Sequence, residues 1–117
     1  LSDIHLDHSV LSALRDVMED EFPVLLDTFL ADSTERLRQI RQANAASDSQ
    51  ALRLAAHSFK GSCSNMGALE LASLCKQLED MARRDQLSDA PGVILLIEQE
   101  FLIVRDLLQD ARSGLAH

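Results

Sequence analysis

Along most of the chain, apolar residues recur at spacings of three and four, the period of a helix with one buried face. The first such segment is short, about residues 7–18, with Val10, Leu11, Leu14, Val17 and Met18 as its apolar side. A long one follows over about residues 21–46, striped by Phe22, Leu25, Leu26, Phe29, Leu30, Leu37 and Ile40. Pro23 falls in its first turn, where a missing N–H costs nothing. A third helix is predicted over about residues 48–66, opened by a capping box of Ser47 and Gln50 and ended by Gly67. A fourth runs over about residues 68–86, with Leu71, Leu74, Cys75, Leu78, Met81 and Ala82 apolar. After the polar turn DQLSDAPG, a fifth begins near Pro91; its Ile94, Ile97, Phe101, Val104 and Leu108 form a bundle seam.

Short links between the four longer helices favour antiparallel neighbours. The expected fold is therefore all-α: an antiparallel up-down four-helix bundle, with the short extra N-terminal helix capping one end. Composition agrees. Leu and Ala dominate, and two Pro and four Gly are too few for the turns of an all-β domain. The 117 residues are read as one domain, large enough to bury an ordinary core without disulfides or metal. Cys63 and Cys75 both occupy apolar helical positions and are read as buried free thiols of a reducing cytoplasm.

The net charge of −8 changes the picture of partners. Phosphate backbones and anionic lipid repel such a domain, so neither nucleic acid nor a membrane surface is expected to bind it. No apolar run approaches the roughly 20 residues of a membrane span, and no secretory signal is visible; a cytoplasmic location is expected. A bundle that closes on itself needs no second copy, so a monomer is expected. His5 and His8 stand three apart with no third ligand near, and no metal site is expected there.

One helix carries an anomaly. Gly61 falls in the interior of the third segment, where glycine costs roughly 1 kcal/mol relative to alanine. On a helical wheel Leu52, Ala55, Ala56, Phe59, Cys63 and Met66 cluster within about 100° of arc, the buried side. His57 lies roughly 150° from its centre, with Arg53, Lys60, Gly61 and Ser64 at −4, +3, +4 and +7. An outward histidine thus has cations one turn away on both sides and a missing side chain beside it. The glycine lets another protein's surface approach the ring. Lys60 can reach an anion attached to the ring, and a phosphoryl group brings about −1.5 to −2 charges for it to offset. Arg53 is placed to help from the other turn. Leu54 falls near Gly61 rather than with the core; it is either covered by the first helix or forms an apolar rim for a docking partner.

The run AHSFKGSCSNMGALELASLCKQLE resembles the histidine-phosphotransfer (HPt) domain family. The match is H-x-x-K-G-S at His57, Lys60, Gly61 and Ser62, then Gly67–Ala68, Leu71, Cys75, Leu78 and Glu79. Phe59 replaces a commoner aliphatic residue, a matter of packing rather than chemistry. The resemblance implies a phosphorelay intermediate of bacterial two-component signalling. His57 is then the phospho-acceptor, taking a phosphoryl group from an aspartyl-phosphate on one receiver domain and passing it to an aspartate on another. Lys60 stabilises the phosphoryl group, Gly61 leaves room for the receiver, and Glu79 hydrogen-bonds the histidine or pairs with Lys60; the wheel, not the resemblance, adds Arg53 as a second cation and Ser64 and Leu54 as candidates for the receiver-facing surface. The implied partners are receiver domains of a hybrid sensor kinase and of a response regulator.

The chain has no G-x-x-x-x-G-K-[ST] nucleotide loop and no acidic cluster around an aspartyl nucleophile. A phosphoryl carrier without autokinase activity is expected, with no cofactor of its own and with Mg²⁺ supplied by the receiver. Neutral imidazole is a competent nucleophile near neutral pH. Four other readings compete. A di-iron bundle needs Glu-x-x-His pairs, and no Glu here has a His three positions on. A kinase dimerisation pair usually has an acid directly after the histidine, where Ser58 stands. A fragment of a larger sensor kinase and a phosphorylation-independent adaptor bundle remain as alternatives.

Overall fold

A computed structural model describes residues 5–114; residues 1–4 and 115–117 of the expected domain lie outside them. The described residues form helices α1 (His8–Met18), α2 (Phe22–Ala45), α3 (Ser49–Asn65), α4 (Leu69–Arg83) and α5 (Ala90–Gly114), with a 3₁₀ turn at Glu19–Glu21 and no strand. Helices α2 to α5 pack in a ring, each against its sequence neighbours, and α5 closes against α2. This is the expected bundle. Phe22, Leu26, Phe29, Leu37 and Ile40 of α2 are buried, as is the whole predicted seam of α5.

Helix α1 stands at the end of the bundle that carries the α3–α4 turn. The Asp7 N–H donates to the Gly67 carbonyl at 2.8 Å, Leu6 is buried, and the Arg15 guanidinium lies 5.3 Å above the Phe22 ring. Its predicted apolar side is only partly used: Leu11 is buried, but Val17 is 79% exposed. Standing at the end of the bundle rather than within its ring of helices, α1 buries a narrower stripe.

Three helices end in the same way. The N–H two residues past the C-cap returns to a carbonyl of the last turn: Asp48 to Ala43, Ala68 to Cys63 and Gln86 to Met81, each at 2.9 Å. The intervening residue must take positive φ, and it is Ser47 (52°), Gly67 (76°) and Asp85 (54°). Only the second is glycine. This corrects the expected capping box. Ser47 terminates α2, and its left-handed backbone cannot cap α3. Asp48 does so instead, in extended conformation, its carboxylate accepting the Ala51 N–H at 3.0 Å. Gly67 is tight as well as left-handed: a Cβ there would stand 3.0 Å from the Val10 Cβ.

The rotation of α3 about its axis decides what faces outward. Leu52, Ala55, Ala56, Phe59 and Cys63 are buried, as the wheel predicts. Phe59 reaches across the interior to meet Phe101 of α5 edge-on, with ring centroids 6.4 Å apart. Burying such a ring is worth about 2–3 kcal/mol, enough to hold α3 in that orientation.

Candidate functional site

With that face fixed, His57 projects from the middle of α3 and is 62% exposed. It is not unattached. Glu79 of α4 lies opposite, only 2% exposed, and its Oε2 is 2.8 Å from His57 Nδ1. Its Oε1 accepts a hydrogen bond from Lys60 Nζ at 2.6 Å. Arg83, one turn further along α4, reaches the same Oε2 at 3.3 Å and Asp80 at 3.3 Å. One buried carboxylate thus gathers an imidazole, an ammonium and a guanidinium.

Burial pushes the Glu79 carboxyl up, but the hydrogen bonds from Lys60 and His57 and the positive charge of Lys60 outweigh it, and its pKa lies below the ordinary value. Glu79 is therefore ionised at neutral pH. An ionised carboxylate only accepts hydrogen bonds, so Nδ1 of His57 carries the proton and donates it. In the neutral ring, Nε2 then holds an unshared electron pair on the far side from Glu79.

The other residues singled out in the sequence fall around this centre. Gly61 is exposed, and a Cβ there would meet nothing within 4 Å, so the glycine answers no packing need inside the bundle. Ser64 is exposed. Leu54 is 51% exposed; α1 does not cover it, and it instead borders a groove of about 460 Å³ between α2 and α3, with Ser58 on the same helix and Arg36 on α2. Arg53 is half-buried and stays outside the network around Glu79. Arg83 is the residue that sequence reading missed. The signal was available, since it follows Glu79 by four positions, the spacing at which a helical carboxylate and guanidinium meet.

The Hpt domain family model matches the chain over residues 24–114, which include this histidine and its carboxylate partner. The chain belongs to the Hpt domain family. Among solved structures, histidine-containing phosphotransfer protein B (HptB) from Pseudomonas aeruginosa PAO1 is 57% identical, with a TM-score of 0.94 over 97% of this chain and 98% of that one. The HPT domain of a sensor hybrid histidine kinase from Shewanella is 20% identical, with a TM-score of 0.80 over 98% of this chain and all (100%) of that one, a likeness of fold. No curated protein matches the chain. Hpt domains are phosphotransfer proteins, carriers of a phosphoryl group rather than kinases.

Other features of this Hpt domain are structural. Cys63 and Cys75 are buried free thiols on facing helices, and burial, with the neighbouring Cys75, pushes the Cys63 thiol far up. Among the described residues, no group of three or more His, Cys, Asp and Glu is arranged to hold a metal, and no helix is long and apolar enough to cross a membrane.

Proposed function

We propose that this Hpt domain relays a phosphoryl group between two receiver domains through Nε2 of His57. The observation that supports it most is the bond between His57 Nδ1 and the buried Glu79 carboxylate, which leaves Nε2 as the outward nucleophile of a ring that is 62% exposed. In the first step the Nε2 pair attacks the phosphorus of an aspartyl-phosphate. The N–P bond forms as the P–O bond to the aspartyl group breaks, and the aspartate departs as a carboxylate. The ring becomes positive, and its Nδ1–H points at a negative oxygen of Glu79. In the second step an aspartate of another receiver attacks phosphorus, and a neutral Nδ1–H imidazole leaves. The same carboxylate thus serves both directions.

Phosphoryl transfer depends on positioning and charge neutralisation more than on covalent help from the protein. Mg²⁺ and the acidic pocket belong to the receiver in this reading. The bundle contributes a rigid mount. Lys60 offsets phosphoryl charge, with Arg53 one turn back along α3; Gly61, Ser64 and Leu54 form the surface that the receiver covers. The donor is the receiver domain of a hybrid sensor kinase and the acceptor that of a response regulator, with the carrier acting as a cytoplasmic monomer.

Incubation with a ³²P-phosphorylated receiver domain tests the proposal. Label is expected on the wild type and absent from His57→Ala. Label on both proteins, or on neither across a broad panel of receivers, would leave a phosphorylation-independent adaptor as the better account.

A further inference from the structure

We infer that a second copy of this chain docks on the outward face of α5, in an antiparallel two-fold pairing centred on Gln99. Eight large hydrophobic side chains are exposed among the described residues, and four of them share this face: Leu95, Leu96, Leu102 and Ile103, each 42–54% exposed. They stand at −4, −3, +3 and +4 from Gln99, which is exposed too. At 100° per residue all four fall within about 60° of it, a stripe of just over two turns. The bundle does not use that stripe. Helix α5 meets the core on its other side, through Ile97, Phe101, Val104 and Leu108.

The apolar order is the same read in either direction from Gln99. A two-fold interface requires that property, because residue i of one copy meets j of the other and j meets i. Leu95 then meets Ile103 of the other copy, and Leu96 meets Leu102. Charge selects the antiparallel direction. The domain carries −8, so two copies repel unless the contact itself is neutral. Gln99 at the centre is uncharged. Two turns out, Asp106 meets Gly92 of the other copy, where a parallel pair would set carboxylate against carboxylate. Gly92 is exposed and a Cβ there would meet nothing within 4 Å, so it leaves space for that side chain. At the flanks Glu98 is paired with Arg41 and Arg105 with Asp106 inside each copy.

Helix α5 packs on α2 and α4 and lies across the ring from α3, so the pair leaves both His57 rings open. A stripe of this length buries less than the roughly 1,200 Å² of a stable complex. The dissociation constant is then on the order of 100 µM, and the carrier stays a monomer at low micromolar concentration.

Sedimentation equilibrium between about 5 and 500 µM tests the pairing, with circular dichroism to confirm helicity. The wild type should approach twice the monomer mass at the upper end, more closely at higher salt, and Leu102→Glu should stay monomeric throughout. Oxidative cross-linking tests the direction. Gln99→Cys should form a disulfide-linked dimer, whereas Gly92→Cys should not, since its two copies stand about 21 Å apart in the antiparallel pair. A wild type at monomer mass throughout, or association that Leu102→Glu leaves unchanged, overturns the inference. Equal cross-linking of Gln99→Cys and Gly92→Cys overturns the antiparallel geometry.

Discussion

Glu79 and His57 form a buried acid and an exposed base joined by one hydrogen bond of 2.8 Å. The carboxylate cannot leave the interior and the imidazole cannot turn its Nδ1 away without losing that bond. Glu79→Gln keeps an oxygen for Nδ1–H but removes the charge that stabilises a positive ring. Transfer into His57 should slow by about tenfold, since a hydrogen bond to a charged group is worth about 1–1.5 kcal/mol more than a neutral one, whereas transfer out, which starts from the positive ring, should not slow. Quench-flow labelling from a phosphorylated receiver measures it, and equal rates in the two proteins would contradict this role.

The same carboxylate gives stability a pH dependence. Its folded pKa is lowered from the usual 4.5, so the unfolded chain binds that proton more tightly. The stabilisation is full above about pH 4.5 and is lost as pH falls through the folded value. Urea midpoints of the wild type and Glu79→Gln should therefore differ by a constant amount near neutrality and converge below about pH 4.5. A gap that widens on acidification would mean the sign is wrong.

Lys60 lies beside Glu79 in the fold as well as in the chemistry. Lys60→Ala should cost about 1–3 kcal/mol of stability, far more than an ordinary surface lysine, because a buried carboxylate loses a partner. It should also slow phosphoryl transfer. Thermal unfolding and labelling read the two effects separately.

Gly61 separates docking from folding. Nothing lies within 4 Å of where its Cβ would stand, so Gly61→Ala should raise stability by about 1 kcal/mol through helix propensity alone. Gly61→Phe should fold equally well yet lose receiver binding, seen by calorimetry against the receiver. Unchanged affinity in that variant would remove the docking account of the glycine.

The three helix ends predict opposite responses to glycine chemistry. Ser47→Gly relieves a left-handed serine and should stabilise by about 0.5–1 kcal/mol. Gly67→Ala should destabilise by about 1–2 kcal/mol, since it adds both the strain of positive φ and a Cβ 3.0 Å from Val10. Chemical denaturation of both variants checks the pair.

Much of this was legible in the sequence because helices announce themselves by period. The buried set of α3 and the outward direction of His57 follow from the wheel, and the seam of α5 from its spacing. Four things did not follow. Ser47 was misread because two cap-like residues, Ser47 and Asp48, stand side by side in the α2–α3 turn, and only the backbone angle tells them apart. Val17 looks like core by spacing, but spacing does not say how many neighbours a helix has. Glu79 was read through family resemblance, and its near-complete burial is invisible to a pattern that counts charge as exposed. Arg83 was overlooked for the converse reason: a lone arginine on a helix reads as solvated until the carboxylate one turn back is found inside.

The central claim is that Glu79 fixes the Nδ1–H form of His57 and leaves Nε2 to carry the phosphoryl group. ¹⁵N-edited NMR of the protein with ¹⁵N-labelled histidine, before and after phosphorylation by a receiver, reads both halves at once. The account predicts a proton on Nδ1 and ³¹P–¹⁵N coupling at Nε2 of His57. Phosphorus on Nδ1, or a neutral ring protonated at Nε2 in the free protein, would contradict it.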